Sequence, residues 1–258
     1  MTDPDVWRIL DLEFENPYVN LAVEEAIPTQ VGKGQAPNTV RFWRNMNAVV
    51  IGRFQSAALE VNLEACKRLG TTIVRRFTGG GAVYHDQGNL NYAISMHKHH
   101  LLIKADLGET FKMLSMSVIG GLETLGIVAE YEPPNSLRVD ERKIGGGAGA
   151  IRSGFVFYHG SILVNSNLQT LSKVLNIEGQ HQSNEKRYVR SIGRVVSNLS
   201  TELERDLSIQ EVKEALQKGF ERKFRIKLVR GELTQEEKRL GERLLQEKYS
   251  TDTWNFAM

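Results

Sequence analysis

The stretch Arg75-Arg76-Phe77-Thr78-Gly79-Gly80-Gly81-Ala82-Val83-Tyr84-His85-Asp86 constrains this chain more than any other. Two arginines end a β-branched run, Thr71-Thr72-Ile73-Val74, and a second strand-like run follows the glycines. Inside a regular element each glycine costs roughly 0.5–1 kcal/mol of backbone entropy relative to alanine. Three in a row after a strand therefore ask for a compensating use. Close approach is one: without Cβ atoms a ligand can lie on the backbone, and bare N–H groups beside cations seat a phosphate or carboxylate. The alternative is a flexible hairpin turn carrying two surface arginines.

The rest of the composition narrows the setting. With 258 residues, 41% of them apolar and 25% charged, the chain is expected to form one globular domain over residues 1–258. Its net charge of +2 offers no broad field for a phosphate polymer, so no nucleic-acid partner is expected. The lone cysteine, Cys66, rules out an internal disulfide and fits a reducing, cytoplasmic compartment. No apolar run approaches the ~20 residues that span a bilayer, and Met1-Thr2-Asp3-Pro4-Asp5 has no secretory pattern.

Read in order, Trp7–Leu12 is a strand and Asn20–Ile27 a helix capped by Asn20. Thr39–Arg44 and Ala48–Gly52 read as strands joined in a hairpin by Asn45-Met46-Asn47. Phe54–Leu69 reads as one helix with Leu59, Leu63, Cys66 and Leu69 on its apolar face, closed by Gly70. Cys66 is thereby a core thiol. Asn89–Met96 alternates as a strand, and His97, His99 and His100 beyond it lack the second ligand group of a metal site. A helix over 107–125, strands over 127–131, 137–144 and 155–164, and a helix from Leu168 follow. Then come a polar loop over 179–190, a helix over 208–224 with a capping box at Ser208, a strand over 227–230 and a helix over 235–248. The expected class is α+β, with a mixed, mostly antiparallel sheet flanked by helices.

A second glycine segment, Gly145-Gly146-Gly147-Ala148-Gly149, follows Lys143 and reads as another small-walled turn. Two such turns beside cations suggest a nucleotide cleft. The Walker pattern is absent because the lysine precedes the glycines, and neither segment fits the Rossmann fingerprint in its strand-to-helix context.

These blocks, with Gly88-Asn89-Leu90-Asn91 and His159-Gly160-Ser161-Ile162-Leu163 at their spacings, resemble the lipoate–protein ligase A family, in its archaeal-type catalytic domain. The resemblance covers almost the whole chain. It implies a biotin/lipoate-ligase, class II synthetase-like catalytic domain. It also implies a two-step reaction with ATP, Mg2+ and lipoate: formation of lipoyl-AMP, then attack by a lysine of an acceptor lipoyl domain. That acceptor would be of the 2-oxoacid dehydrogenase E2 or glycine-cleavage H protein type.

By the same resemblance, Arg76 and the backbone of Gly81, Ala82, Val83 and Tyr84 contact the nucleotide. Gly79 and Gly80 leave room for the acyl chain. Lys143 bridges carboxylate and α-phosphate as the catalytic residue. Ala148 lines the nucleotide pocket, His85 and His159 shape the cleft, and Asp140 is a candidate for a metal or ribose contact. Beyond that candidate no protein metal ligand is assigned. The C-terminal accessory domain of many bacterial ligases has no counterpart here, so either a separate accessory subunit supplies it or the chain works alone or only in part; the chain itself is expected to be a monomer. Two other functions are weighed: an ATP-independent octanoyl or lipoyl transferase, which needs a cysteine nucleophile, and a non-catalytic acyl-adenylate-binding subunit.

Overall fold

A computed structural model describes residues 4–152, 154–176 and 188–257. The elements in chain order are β1 (Asp5–Asp11), α1 (Pro17–Gly32), β2 (Thr39–Trp43), β3 (Asn47–Ile51), α2 (Ala57–Glu60) and α3 (Leu63–Leu69). Next are β4 (Thr72–Arg75), β5 (Val83–Asp86), β6 (Asn89–His97), α4 (Leu107–Leu122), β7 (Glu130–Glu132), β8 (Ser136–Val139), β9 (Arg142–Ile151) and β10 (Phe155–Leu163). The chain closes with α5 (Leu168–Val174), α6 (Leu199–Glu202), α7 (Ile209–Phe224), β11 (Ile226–Arg230), α8 (Gln235–Leu244) and α9 (Asp252–Asn255).

Eight strands form one sheet in the order β11-β1-β2-β6-β10-β9-β8-β7, parallel on both sides of β1 and antiparallel elsewhere. A smaller sheet, β4-β3-β5, carries the arginine–glycine stretch between β4 and β5. The α+β, mostly antiparallel expectation holds. Alternation on β6 decides what each face does. Leu90, Tyr92, Ile94 and Met96 join the core under α4 and α7, with Leu114, Val118, Leu216 and Phe220. Asn91 takes the other parity and points to the opposite face, where α1 packs.

Local readings needed four corrections. Helix α1 starts at Pro17, capped by the Asn16 side chain, and runs through Pro28; Asn20 is interior and fully buried. Asn45-Met46-Asn47 is a crossover rather than a hairpin. Trp43 pairs with Asn91 in one sheet, Asn47 with Asp86 in the other, and buried Asn45 is pinned between them by Asn20. The segment over 54–69 is two helices, because Val61 is extended and pairs with Leu175. Its presumed apolar face is broken as well: Leu63 and Leu69 are exposed while Cys66 is buried.

The fourth correction matters most for function. Gly145–Gly149 is the middle of strand β9, hydrogen-bonded to β10 across its length, and the two do form the expected antiparallel pair. Side chains on the core parity would collide: a Cβ on Gly147 would fall on the Tyr158 hydroxyl, and one on Gly149 on the Phe111 ring. These glycines make room for aromatic rings rather than for a turn. The polar loop expected over 179–190 lies outside the described residues up to 187.

Candidate active site

One cavity of about 370 Å3 opens where the small sheet meets the opposite face of the large one. The glycine stretch forms its wall on one side and β9 on the other: Gly80, Gly81, Ala82, Val83, Tyr84 and His85 all line it, as do Lys143, Gly146, Ala148 and His159. A Cβ added at Gly80 would lie 3.7 Å from the Ala148 Cβ, so the two walls nearly touch there. Two sequence candidates stand apart. Asp140 sits in an exposed turn at φ 49°, and neither it nor Gly79 lines the cavity.

Arg76 lines the cavity but is largely engaged by its own loop. Its guanidinium donates to the carbonyls of Gly79 (2.7 Å), Gly81 (2.8 Å) and Val50 (3.1 Å) and to Thr78 Oγ1 (3.1 Å). Burial pulls its pKa down to about 10, which leaves it cationic at neutral pH. Arg76 thus shapes the glycine loop and contributes charge from beneath it. Gly80, at φ 94°, completes the turn in a conformation that favours glycine.

Arg75 faces the other way. It is 1% exposed and donates to the carbonyls of Gly52, Gln55, Trp254, Asn255 and Ala257. Its backbone N–H donates to Asn255 Oδ1, and the Trp254 indole donates to its carbonyl. The neighbouring arginines therefore divide the labour: one folds the loop, the other ties it to residues 254–257.

Lys143 opens the opposite wall. Its backbone is clamped to the segment before α6 by hydrogen bonds with Val195 and Ser197. Its ammonium has no ion pair or side-chain hydrogen bond among the described residues. Burial lowers its pKa, as do the nearby cations Arg194 and Arg76, against an opposing effect of Glu132. A half-buried, unpaired cation with two further cations near it is an anion site by ordinary electrostatics.

The polar floor is a chain of hydrogen bonds. Glu24 Oε1 lies 3.0 Å from His159 Nδ1, and His159 Nε2 lies 2.7 Å from Thr78 Oγ1. With Nδ1–H donating to Glu24, His159 Nε2 accepts a hydrogen bond from the Thr78 hydroxyl, and Thr78 Oγ1 in turn accepts from Arg76. Helix α1, strand β10 and the glycine loop are joined through these four side chains. Ser191 closes the rim: its Oγ accepts from Ala82 N–H (2.9 Å) and Gln55 Nε2 (3.0 Å).

Sequence reasoning assigned no role to Glu24, Trp43, Asn91, Ser191 or Arg194, all of which line the cavity. The available signal was Glu24 itself, one helical turn from Leu21 on the buried side of α1. Among the described residues no group of three or more His, Cys, Asp or Glu could hold a metal ion. No helix among them is long and apolar enough to cross a membrane.

Comparison with known proteins identifies this architecture. Residues 16–221 match the lipoyl protein ligase A/B catalytic domain. An octanoyltransferase LipM of Brevibacillus brevis is 33% identical over 96% of this chain and 98% of its own. Lipoate-protein ligase A subunit 1 of Thermoplasma acidophilum is 34% identical, over 97% of each. A T. acidophilum protein with bound lipoic acid superposes at a TM-score of 0.83, with 33% identity over 97% of this chain and 99% of that one. A lipoate-protein ligase A bound with ATP also superposes at 0.83, with 34% identity over 97% and 98%. The ligase of a bi-partite archaeal lipoylation system from T. acidophilum, studied with its E2 lipoyl domain, reaches 0.84, with 33% identity over 98% and 96%. Ligases and transferases share this scaffold, and the chain belongs to the lipoyl protein ligase A/B catalytic domain family.

Proposed function

We propose that this chain is an ATP-dependent lipoate–protein ligase. The lipoate carboxylate attacks the α-phosphate of ATP, pyrophosphate leaves, and lipoyl-AMP forms. The ε-amine of a lysine on a lipoyl acceptor domain then attacks the acyl carbon, and AMP leaves. In this reading Lys143, which lines the cavity opposite the glycine loop and has no ion pair among the described residues, offsets the negative charge passing between carboxylate and phosphate in both steps. Val83 and Tyr84, on edge strand β5, offer their backbone to the nucleotide, and Ala82 would do so once its N–H leaves the Ser191 hydroxyl. Mg2+ would come with the nucleotide and offset phosphate charge, a cation that keeps much of its water and takes few protein ligands.

One observation separates this reading from the transferase suggested by the LipM relative. A thioester route needs a reactive thiolate at the acyl carbon. The chain's one cysteine, Cys66, is 1% exposed in α3, lies outside the cavity lining, and burial pushes its pKa up to about 11. The T. acidophilum relatives, one termed subunit 1 and one bi-partite, support the expectation that a separate accessory subunit assists, and that an E2-type lipoyl domain is an acceptor.

The test is the mass shift of a lipoyl domain incubated with the chain and lipoate, with and without ATP and Mg2+, and with a candidate accessory subunit. ATP-dependent addition that survives Cys66→Ser is expected. Transfer from octanoyl-acyl carrier protein without ATP, abolished by Cys66→Ser, would overturn the ligase reading in favour of the transferase.

A further inference from the structure

Lys143 reaches the cavity through an irregularity in its own strand. Gly147 and Gly149 of β9 face the aromatic core, so strict alternation would turn Gly145 and Lys143 the same way. Between Leu137 and Arg138 of β8, however, the register slips. Leu137 stands opposite Gly145 and Arg138 opposite Lys143, with Ile144 left over between them. Ile144 drops fully buried into the core, and Lys143 is turned to the cavity side. Its side chain then runs along the strand to Gly146: a Cβ there would lie 3.2 Å from both Lys143 Cε and Nζ.

Gly146 has a serine on either side. Ser161 on β10 and Ser136 on β8 each stand directly opposite it in the register, and all three residues line the cavity. Paired residues of antiparallel strands point to the same face, with Cβ positions about 5 Å apart. Neither serine hydroxyl has a hydrogen bond among the described residues, and neither is closed off from water. The Asn135 carbonyl oxygen, also 3.2 Å from the Gly146 Cβ position, is engaged by the Gly147 N–H. An oxygen resting on Gly146 thus has an ammonium beside it and a hydroxyl on each flank. Such a set of fixed donors suits an atom on which negative charge gathers during a reaction.

We propose that Ser136 and Ser161 are catalytic donors that join Lys143 in holding the acyl oxygen during transfer to the acceptor amine. The inference rests on the ligase reading, in which an acyl-adenylate is the intermediate. The neutral amine attacks the acyl carbon and a C–N bond forms. The carbonyl π pair moves onto the oxygen, which becomes the anion above Gly146. As that pair returns, the bond from the acyl carbon to the phosphate oxygen breaks. AMP leaves with the electrons of that bond, and the nitrogen gives one proton to water. Adenylation makes a different demand. There charge drains from the carboxylate as its other oxygen attacks phosphorus, so the two hydroxyls gain nothing in that step.

Single-turnover transfer from preformed lipoyl-AMP to a lipoyl domain tests this on the whole chain, with any accessory subunit that the wild type needs. Ser161→Ala and Ser136→Ala should each slow transfer by roughly 10- to 100-fold, less than the loss of a lone oxyanion donor because two others remain. Binding of lipoyl-AMP, read by calorimetry, should weaken by no more than about threefold, since the donors act in the transition state. Lipoate-dependent pyrophosphate release should slow by only about twofold to threefold. Ser161→Thr, which keeps a hydroxyl at the same strand position, should recover most of the transfer rate. A site that is merely loosened would lower transfer, binding and pyrophosphate release together. Near-wild-type transfer in either alanine variant, equal losses in transfer and pyrophosphate release, or no recovery in Ser161→Thr overturns the inference and leaves the ligase reading in place. A wild-type chain that releases no pyrophosphate and cannot use lipoyl-AMP removes the ligase reading, and the inference with it.

Discussion

His85 records its surroundings in the stability of the fold, being buried with Arg76 and His159 nearby. Its folded pKa, about 3, lies below the ordinary histidine value of 6.5, so the unfolded chain binds this proton more readily. The stability held above pH ~6.5 is therefore lost as pH falls toward 3, by about 1.4 kcal/mol for each unit. Urea denaturation at pH 7.5 and pH 5 should show a larger drop for wild type than for His85→Gln. Lys143 works in the opposite range. Its pKa is lowered, so if its charge serves adenylation, activity falls on the alkaline side earlier than a free lysine would allow. Lys143→Ala should cut lipoate-dependent pyrophosphate release on the order of 10²-fold; near-wild-type release would remove it from the mechanism. The candidates Arg76, Gly80 to His85, Lys143, Ala148 and His159, all drawn from the quoted motifs, do line the cavity, while Gly79 from the same motif does not. Glu24 was not legible from the chain alone: α1 is buried nearly all round, and the burial of its polar positions leaves no amphipathic pattern to read.

Strand β9 shows why element type was harder to read than element position. Glycine density usually signals a turn, because a bare backbone is flexible. Here the neighbours supply the rigidity: Tyr158 and Phe111 fill the space opposite Gly147 and Gly149, and Ser115 holds the Tyr158 hydroxyl at 2.7 Å. Gly147→Ala should force Tyr158 out of place and destabilise the fold by about 1–3 kcal/mol, measured by thermal or urea unfolding. On the other parity, Gly146 and Ala148 face the cavity, so the same strand serves core and site with alternate residues. The long helices α4 and α7 were read to within a few residues, since their periodicity and caps agree. The 45–47 crossover was misread because a short polar link between two strands looks the same whether the strands share a sheet or not.

At the scale of the molecule, a buried ion pair ties the two ends of the described chain together. Arg8 on β1 donates to both carboxylate oxygens of Glu237 on α8, at 2.8 and 2.5 Å, and to the Thr39 hydroxyl on β2. Glu237 is fully buried and Arg8 7% exposed. Arg8→Ala should therefore cost about 3–5 kcal/mol, since it strands a buried carboxylate, and the double variant Arg8→Met with Glu237→Leu should recover much of that loss. No sequence pattern announces a partnership across 229 positions.

Arg75 makes a second such closure, and it bears on the order of synthesis. Every described residue that lines the cavity lies between Leu21 and Val196, and so is made before Trp254, Asn255 and Ala257. Until those residues arrive, the arginine at the root of the glycine loop lacks three of its carbonyl acceptors and the indole that caps its own carbonyl. A growing chain can thus hold all of these lining side chains while the loop is still unfastened at its base, and the fastening comes only after Ala257 has been added.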